Sequence, residues 1–203
     1  MRISKKQAAD NKARVLAGAR ELFGARGFEN VGVADAMRAA GMTHGGFYNH
    51  FASKDALAAE VCREALASSV AKVEAIAAIA DENERKAAMA EYLGRYASAK
   101  TRDAPSPSCP MAAFAGDMPR QPETVASAYA EGLRAYLDAF TAAGGDDWTR
   151  QEALARFSAL AGALILARSV AAADPKLSDE LLEAAKAELA AATAGSSAAA
   201  TAR

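Results

Sequence analysis

Between Thr43 and His50 the chain reads THGGFYNH, and nearly every residue there carries a hydrogen-bonding group or is a glycine. Thr43 and Tyr48 offer hydroxyls, His44 and His50 imidazoles, Asn49 a carboxamide, and Lys54 follows with an ammonium. Hydroxyl and ammonium groups suit phosphate oxygens, whereas His and Asn side chains can hydrogen-bond base edges in a DNA major groove. Lys54 stands at a helix start, beside free backbone N–H groups that also favour an anion. Gly45 and Gly46 each cost a helix about 1 kcal/mol relative to alanine. Close approach of backbone to DNA would justify that cost. Phe47 and Phe51 read as core. His44 and His50 are off the i, i+4 spacing that puts two ligands on one helical face, so no metal site and no cofactor is expected.

The elements around this segment position it. Residues 12–26 carry Val15, Leu16, Ala19, Leu22 and Phe23 on one stripe, the mark of an amphipathic helix. Gly27 can close that helix in the left-handed conformation, with Phe28 folding back. A short helix over 33–40 has Gly32 at its N-cap and Asp35 in its first turn, where negative charge suits the helix dipole. Gly41 breaks it, and Thr43 caps a third helix over 44–51. Ser53 then caps a long helix from Lys54 to about residue 80. Two short helices joined at a glycine form the helix-turn-helix arrangement that places its second helix in the major groove.

RVLAGARELFGARGF and AAGMTHGGFYNHFASKDAL together resemble the DNA-binding domain of TetR-family regulators, over about residues 12–66. FYNHFASKDAL is the most specific piece, and HGGFY points to a subset of that family. Three positions depart from the pattern. Gly32 replaces the usual Ser or Thr, Ala36 a larger aliphatic residue, and Met37 a small one; the last two read as a size exchange in the core. The resemblance implies phosphate contacts for Tyr48, His50 and Lys54, and a ligand-released repressor that binds a palindromic operator as a homodimer. The DNA-binding set is Thr43, His44, Gly45, Gly46, Tyr48, Asn49, His50 and Lys54.

Composition agrees. The chain has 203 residues and a net charge of −1, but residues 1–63 hold ten Lys and Arg against six Asp and Glu. A basic N-terminal third is thus masked by an acidic remainder, and local charge is what phosphates feel, since screening acts beyond about 8–10 Å. No stretch reaches the 18 or so uninterrupted apolar residues of a membrane helix. The opening MRISKKQAADNK lacks the apolar core of a secretory signal. Cys62 and Cys109 form no disulfide framework or zinc pairing, which fits a reducing cytoplasm.

Strand signals are nearly absent, so the expected fold is all-α. An N-terminal three-helix helix-turn-helix domain (1–53) is followed by an effector-binding and dimerisation domain (54–193), about nine helices in all. A tail over 194–203, rich in Ala, Ser and Thr, reads as disordered. Residues 85–100 form one helix. Asp103-Ala-Pro-Ser-Pro-Ser-Cys-Pro110 is a loop, and a short helix starts at Pro110. Residues 122–140 form the next helix. Thr149 and Glu152 have the form of a capping box, and Ser178 caps the last helix, with Leu177 stapled against Leu182.

In the resembled family the last two helices form a dimer's four-helix interface. Carried over, that interface uses Leu154, Phe157, Ala161, Leu164, Ile165 and Arg168, then Leu181, Leu182, Ala185 and Leu189. The middle helices would surround an effector pocket lined by Met89, Tyr92, Tyr96, Cys109, Met111, Phe114, Met118, Tyr129, Tyr136 and Phe140. Such side chains suit an apolar ligand with a polar handle. SCPMAA also resembles a stretch in a branch that includes electrophile-responsive repressors. Cys109, at a helix N-terminus that favours thiolate, is therefore a candidate sensor of electrophiles or oxidants. Cys62 lies in an inward stripe and reads as core. Two other readings are an enzyme using the Cys109 thiol and a helical protein-interaction module that does not touch DNA. No His or acid lies near Cys109 in sequence to support the enzyme.

Overall fold

In the computed structural model, residues 4–104 and 109–200 are described, without the side chains of 147 and 190–200. Ser4 opens the first helix by accepting from the Gln7 N–H at 3.1 Å. Helix α1 therefore spans Lys5–Arg26, earlier than the apolar periodicity predicts, because its first two turns are polar and carry no stripe. Then come α2 (Val33–Ala39), a 3₁₀ helix (His44–Asn49), α3 (Lys54–Ala77), α4 (Glu82–Tyr96), α5 (Ala99–Arg102) and α6 (Pro110–Phe114). A 3₁₀ turn (Met118–Arg120), α7 (Glu123–Ala143), a second 3₁₀ turn (Gly145–Asp147), α8 (Arg150–Val170) and α9 (Pro175–Ala200) complete the described residues, among which there is no strand.

Several ends follow the side chains the sequence singles out. Ser53 accepts from the Ala56 N–H at 3.0 Å. Glu152 accepts from the Thr149 N–H at 2.7 Å while Thr149 accepts from the Glu152 N–H at 3.3 Å, a closed capping box. The bonds from Thr149 hold the Glu152 carboxyl below its ordinary range.

Three expectations need correction. The helix over 85–100 is two helices: Ser98 donates to the Arg95 carbonyl and accepts from the Thr101 N–H, so its side chain starts a new turn. The recognition segment is a 3₁₀ helix over 44–49, tighter than the α-helix expected over 44–51. Ser178 is no cap. Asp174 takes that role, accepting from the Leu177 N–H at 3.0 Å, with Pro175 in the first turn. Ser178 is fully buried and donates to the Ala167 carbonyl at 2.8 Å, while Leu177 stays exposed. Helix α9 runs from Pro175 to Ala200; residues 201–203 lie outside the described residues, as does 105–108 of the expected loop.

The chain forms two compact units. The first joins Met1–Ser68 to Pro105–Leu133. In it α1 packs on α2 so closely that a Cβ at Gly18 would sit 2.9 Å from the Ala39 methyl. Val15, Ala19, Phe23, Ala36, Met37, Phe47 and Phe51 are buried, so Ala36 and Met37 both face the core, as the size exchange requires. Helix α6 packs against α1: Phe23 stacks on Phe28 at 4.4 Å, and Phe114 meets Phe28 edge-on at 5.1 Å.

The second unit joins Ser69–Ala104 to Arg134–Arg203. Its core is aromatic: Phe157 lies 4.7 Å from Tyr136 and 5.7 Å from Phe140, and Phe140 lies 5.2 Å from Trp148. Helix α8 packs along α9. By length and composition alone α8 could cross a membrane. Its inward face, however, is part of this core through Phe157, Leu160 and Leu164. Arg102 fastens α5 to α9, donating to Asp179 at 2.6 Å and Ser178 at 2.8 Å.

Candidate DNA-binding surface

The 3₁₀ helix shows two faces. Phe47 and Phe51, 5.5 Å apart, are buried and anchor it. Lys12 reaches over the Phe51 ring at 5.3 Å and pairs with Glu60 at 2.7 Å, which ties α1 to α3 beneath the segment. On the opposite face Thr43, His44, Gly45, Tyr48 and Asn49 are exposed, and Gly46, His50 and Lys54 are partly so. Tyr48 is 69% exposed, its ring held edge-on to Phe47. Among the described residues the side chains of Thr43, His44, Tyr48 and Asn49 make no hydrogen bond within the protein.

The glycines fit the same picture. A Cβ at Gly45 would meet nothing within 4 Å, and one at Gly46 only the Met37 methyl at 3.5 Å. Nothing inside the protein excludes a side chain at Gly45, so the absent Cβ leaves room on the outer surface. Lys54 donates weakly to the Glu29 carbonyl at 3.4 Å, which leaves most of its donor capacity free for an anion. Gly32, at the α2 N-cap, offers no side chain; its N–H donates to the Asp35 carboxylate at 3.1 Å. Arg14 supports the arrangement in a way the sequence does not announce. Its guanidinium donates to the Ala40 carbonyl at the end of α2.

The residues expected to line an effector pocket divide between the two units. Cys109, Met111, Phe114, Met118 and Tyr129 belong to the first, where the Tyr129 hydroxyl donates to the Met111 carbonyl at 2.8 Å. Burial pushes the Tyr129 hydroxyl up to about 12, with lesser contributions from Cys109 and Cys62. Met89, Tyr92, Tyr96, Tyr136 and Phe140 belong to the second, where the Tyr92 and Tyr136 hydroxyls lie 2.7 Å apart. Cys109 is the N-cap of α6: its sulfur accepts from the Ala112 N–H at 3.4 Å, and the residue is 2% exposed. Burial pushes the Cys62 thiol up to about 12, which keeps it protonated and inert. Among the described residues no group of His, Cys, Asp and Glu is placed to hold a metal.

The stripe expected at the dimer interface also divides. Phe157, Leu164, Leu182 and Leu189 are buried within the protomer, and Arg168 donates to the Thr101 and Arg102 carbonyls. Those five serve the chain's own packing. Leu154 and Ile165 are exposed, and Ala161, Leu181 and Ala185 partly so. Leu166, not among the expected residues, is the most exposed large hydrophobic side chain of α8 at 53%. The sequence signal for it was the run Leu164-Ile165-Leu166, too apolar for one inward face.

Residues 15–61, which contain the whole helix-turn-helix, match the family of bacterial regulatory proteins of the tetR type. No curated protein matches the chain. Among solved structures, the reduced form of E. coli NemR is 20% identical, with a TM-score of 0.74 over 88% of this chain and 94% of that one. A TetR-family regulator from Agrobacterium tumefaciens is 23% identical, with a TM-score of 0.69 over 87% and 97%. FadR from Bacillus subtilis, in complex with stearoyl-CoA, is 16% identical, with a TM-score of 0.58 over 85% and 96%. At these identities the structures speak for the fold, and the match over 15–61 speaks for the helix-turn-helix segment alone. Residues 15–61 thus carry a segment of the tetR type, and the chain as a whole has the fold of these solved regulators.

Proposed function

We propose that the chain is an effector-released repressor that grips a two-fold symmetric operator as a homodimer in the cytoplasm. Residues 1–53 read DNA, and residues 54–193 bind the effector and dimerise. The observation that carries the reading is the exposed row Thr43, His44, Tyr48 and Asn49, its polar atoms unspent, on a segment anchored by Phe47 and Phe51. His44 and Asn49 address base edges. Thr43, Tyr48, His50 and Lys54 address phosphates, and Gly45 and Gly46 let the backbone approach.

The two-fold partner follows from the same chemistry. One short segment reads few base pairs, whereas two of them, about 34 Å apart, read two half-sites. Leu154, Ile165 and Leu166 on α8, with Leu181 and Ala185 on α9, form the apolar surface we assign to the partner copy. For the effector we favour an apolar molecule, or an electrophile or oxidant that reaches Cys109. The stearoyl-CoA held by FadR supports the idea that this fold can accept a ligand with a long apolar chain. An effector that binds better to a state with displaced DNA-binding units must weaken operator binding by the same coupling free energy. Helix α3, which begins at Lys54, is the proposed lever.

Mobility shifts with duplexes from upstream of the chain's own gene, titrated with salt, test the reading. A sequence-preferring complex whose affinity falls steeply as salt rises is expected. Equal binding to all duplexes would leave a fold without this job. In the same assay Asn49→Ala is expected to cost about 1–3 kcal/mol and to relax preference at one base pair per half-site, whereas Lys54→Ala should weaken all sequences alike and flatten the salt slope. Loss of affinity without any change in preference would remove Asn49 from base reading. For Cys109, the serine variant should retain operator binding but lose release by electrophiles; unchanged release would eliminate it as the sensor.

A further inference from the structure

We infer that Asp117 is a positioning residue for DNA recognition. Supplied by the segment that follows Cys109, its carboxylate closes the turn between α1 and α2. The inference rests on the DNA-binding reading above and adds to it the contact through which the 109–121 segment acts on the helix-turn-helix.

The geometry is local and redundant. Gly27 ends α1 with φ at 79°, and the next amide, that of Phe28, has left the helical ladder. Its acceptor is Asp117 Oδ2 at 3.2 Å, from 89 residues downstream. The other carboxylate oxygen, Oδ1, accepts from Arg120 Nη2 at 2.8 Å, and Arg120 Nε lies 3.6 Å from the Glu29 carboxylate. Phe28, Asp117, Arg120 and Glu29 thus stitch the turn to the 3₁₀ turn Met118–Arg120. A Cβ on Gly27 would lie 3.1 Å from Asp117 Oδ2, so the carboxylate rests against bare backbone. The apolar half of the contact is Phe114 on Phe28.

The stitched turn matters because α2 begins at Val33, a few residues later, and α2 packs on both α1 and the 3₁₀ helix His44–Asn49. Losing a buried N–H's charged acceptor frees the turn, and with it the angle at which α2 and the recognition segment are presented. Linkage makes the contact two-way: any event that displaces Asp117 weakens DNA binding, and bound DNA resists that displacement. Nothing local in the sequence marks Asp117, since its partner lies in another part of the chain.

The test uses the full chain in three variants, Asp117→Ala, Asp117→Asn and Arg120→Ala, with two readouts. Without DNA, amide exchange of Phe28 and its neighbours is expected to be about tenfold faster or more in Asp117→Ala. Asp117→Asn should fall between Asp117→Ala and wild type, because its one amide oxygen can still accept from Phe28 but no longer from Arg120 as well, and α8 amides should not change. With DNA, Asp117→Ala should lose about tenfold in affinity for the preferred duplex and Asp117→Asn should recover part of it. Arg120 is exposed, so Arg120→Ala keeps the fold even if Asp117→Ala does not, and both readouts should move the same way by a smaller factor. Unchanged exchange at Phe28 overturns the inference. So does faster exchange with wild-type DNA affinity, or an Asn variant as weak as the Ala variant. If the wild type binds no duplex yet Asp117→Ala still speeds exchange, the failure lies in the DNA reading, and the positioning role falls with it while the stitched turn stands.

Discussion

Placing glutamate at both Ile165 and Leu166 is expected to turn the proposed dimer into monomers and to reduce operator affinity by about 10²–10⁴-fold. The factor is the avidity lost when two linked half-site contacts become two independent ones. The sites are chosen from burial. Ile165 and Leu166 are 41% and 53% exposed, whereas Phe157, Leu160 and Leu164 on the same helix fill the protomer's core. The double variant therefore keeps its own packing and loses only what a partner would cover. Light scattering on the eluting protein reads the mass, and anisotropy with the preferred duplex reads the affinity. A variant that remains dimeric places the interface elsewhere. A wild type that is monomeric yet binds its duplex tightly removes the need for a two-fold pair.

Replacing Phe47 with alanine is expected to cost about 3–5 kcal/mol and to abolish DNA binding. Phe47 is fully buried and is, with Phe51, the anchor of a six-residue 3₁₀ helix that has few other ways to hold its shape. The effect should be confined to the first unit. The chain has a single tryptophan, Trp148, which belongs to the second. Denaturant unfolding followed by Trp148 fluorescence should move little, while far-ultraviolet circular dichroism should gain an earlier transition. Coincident transitions shifted by less than 1 kcal/mol would mean that Phe47 does not carry the segment.

Much of this was legible in the sequence where the signal is local. Gly27 and Gly41 at helix ends, Ser53 as a cap, the Thr149–Glu152 box and the short helix from Pro110 all depend on residues a few positions apart. The exposed row on the 3₁₀ helix was equally legible, because Phe47 and Phe51 fix which face turns inward. Legibility failed where a distant partner decides. Ser178 looks like a cap by composition, but Arg102 and the Ala167 carbonyl recruit it into the interior. On α8 the most apolar stripe was assigned to a partner copy, yet a protomer claims its best apolar face for its own core first. The remaining exposed residues, Leu154, Ile165 and Leu166, are what a second copy could use. The early start of α1 has a third cause: Ser4 and a polar first turn provide a cap without any periodic pattern to detect.

The measurement that reaches furthest is selection of duplexes from a random pool by the wild-type chain and by Asn49→Ala in parallel. The expected result is an inverted repeat for the wild type, its half-sites one helical turn or a multiple apart, with preference relaxed at one position per half-site in the variant. A pool that yields no enriched sequence with the wild type, or the same repeat at full strength with Asn49→Ala, would contradict the assignment of base reading to the segment from His44 to Asn49.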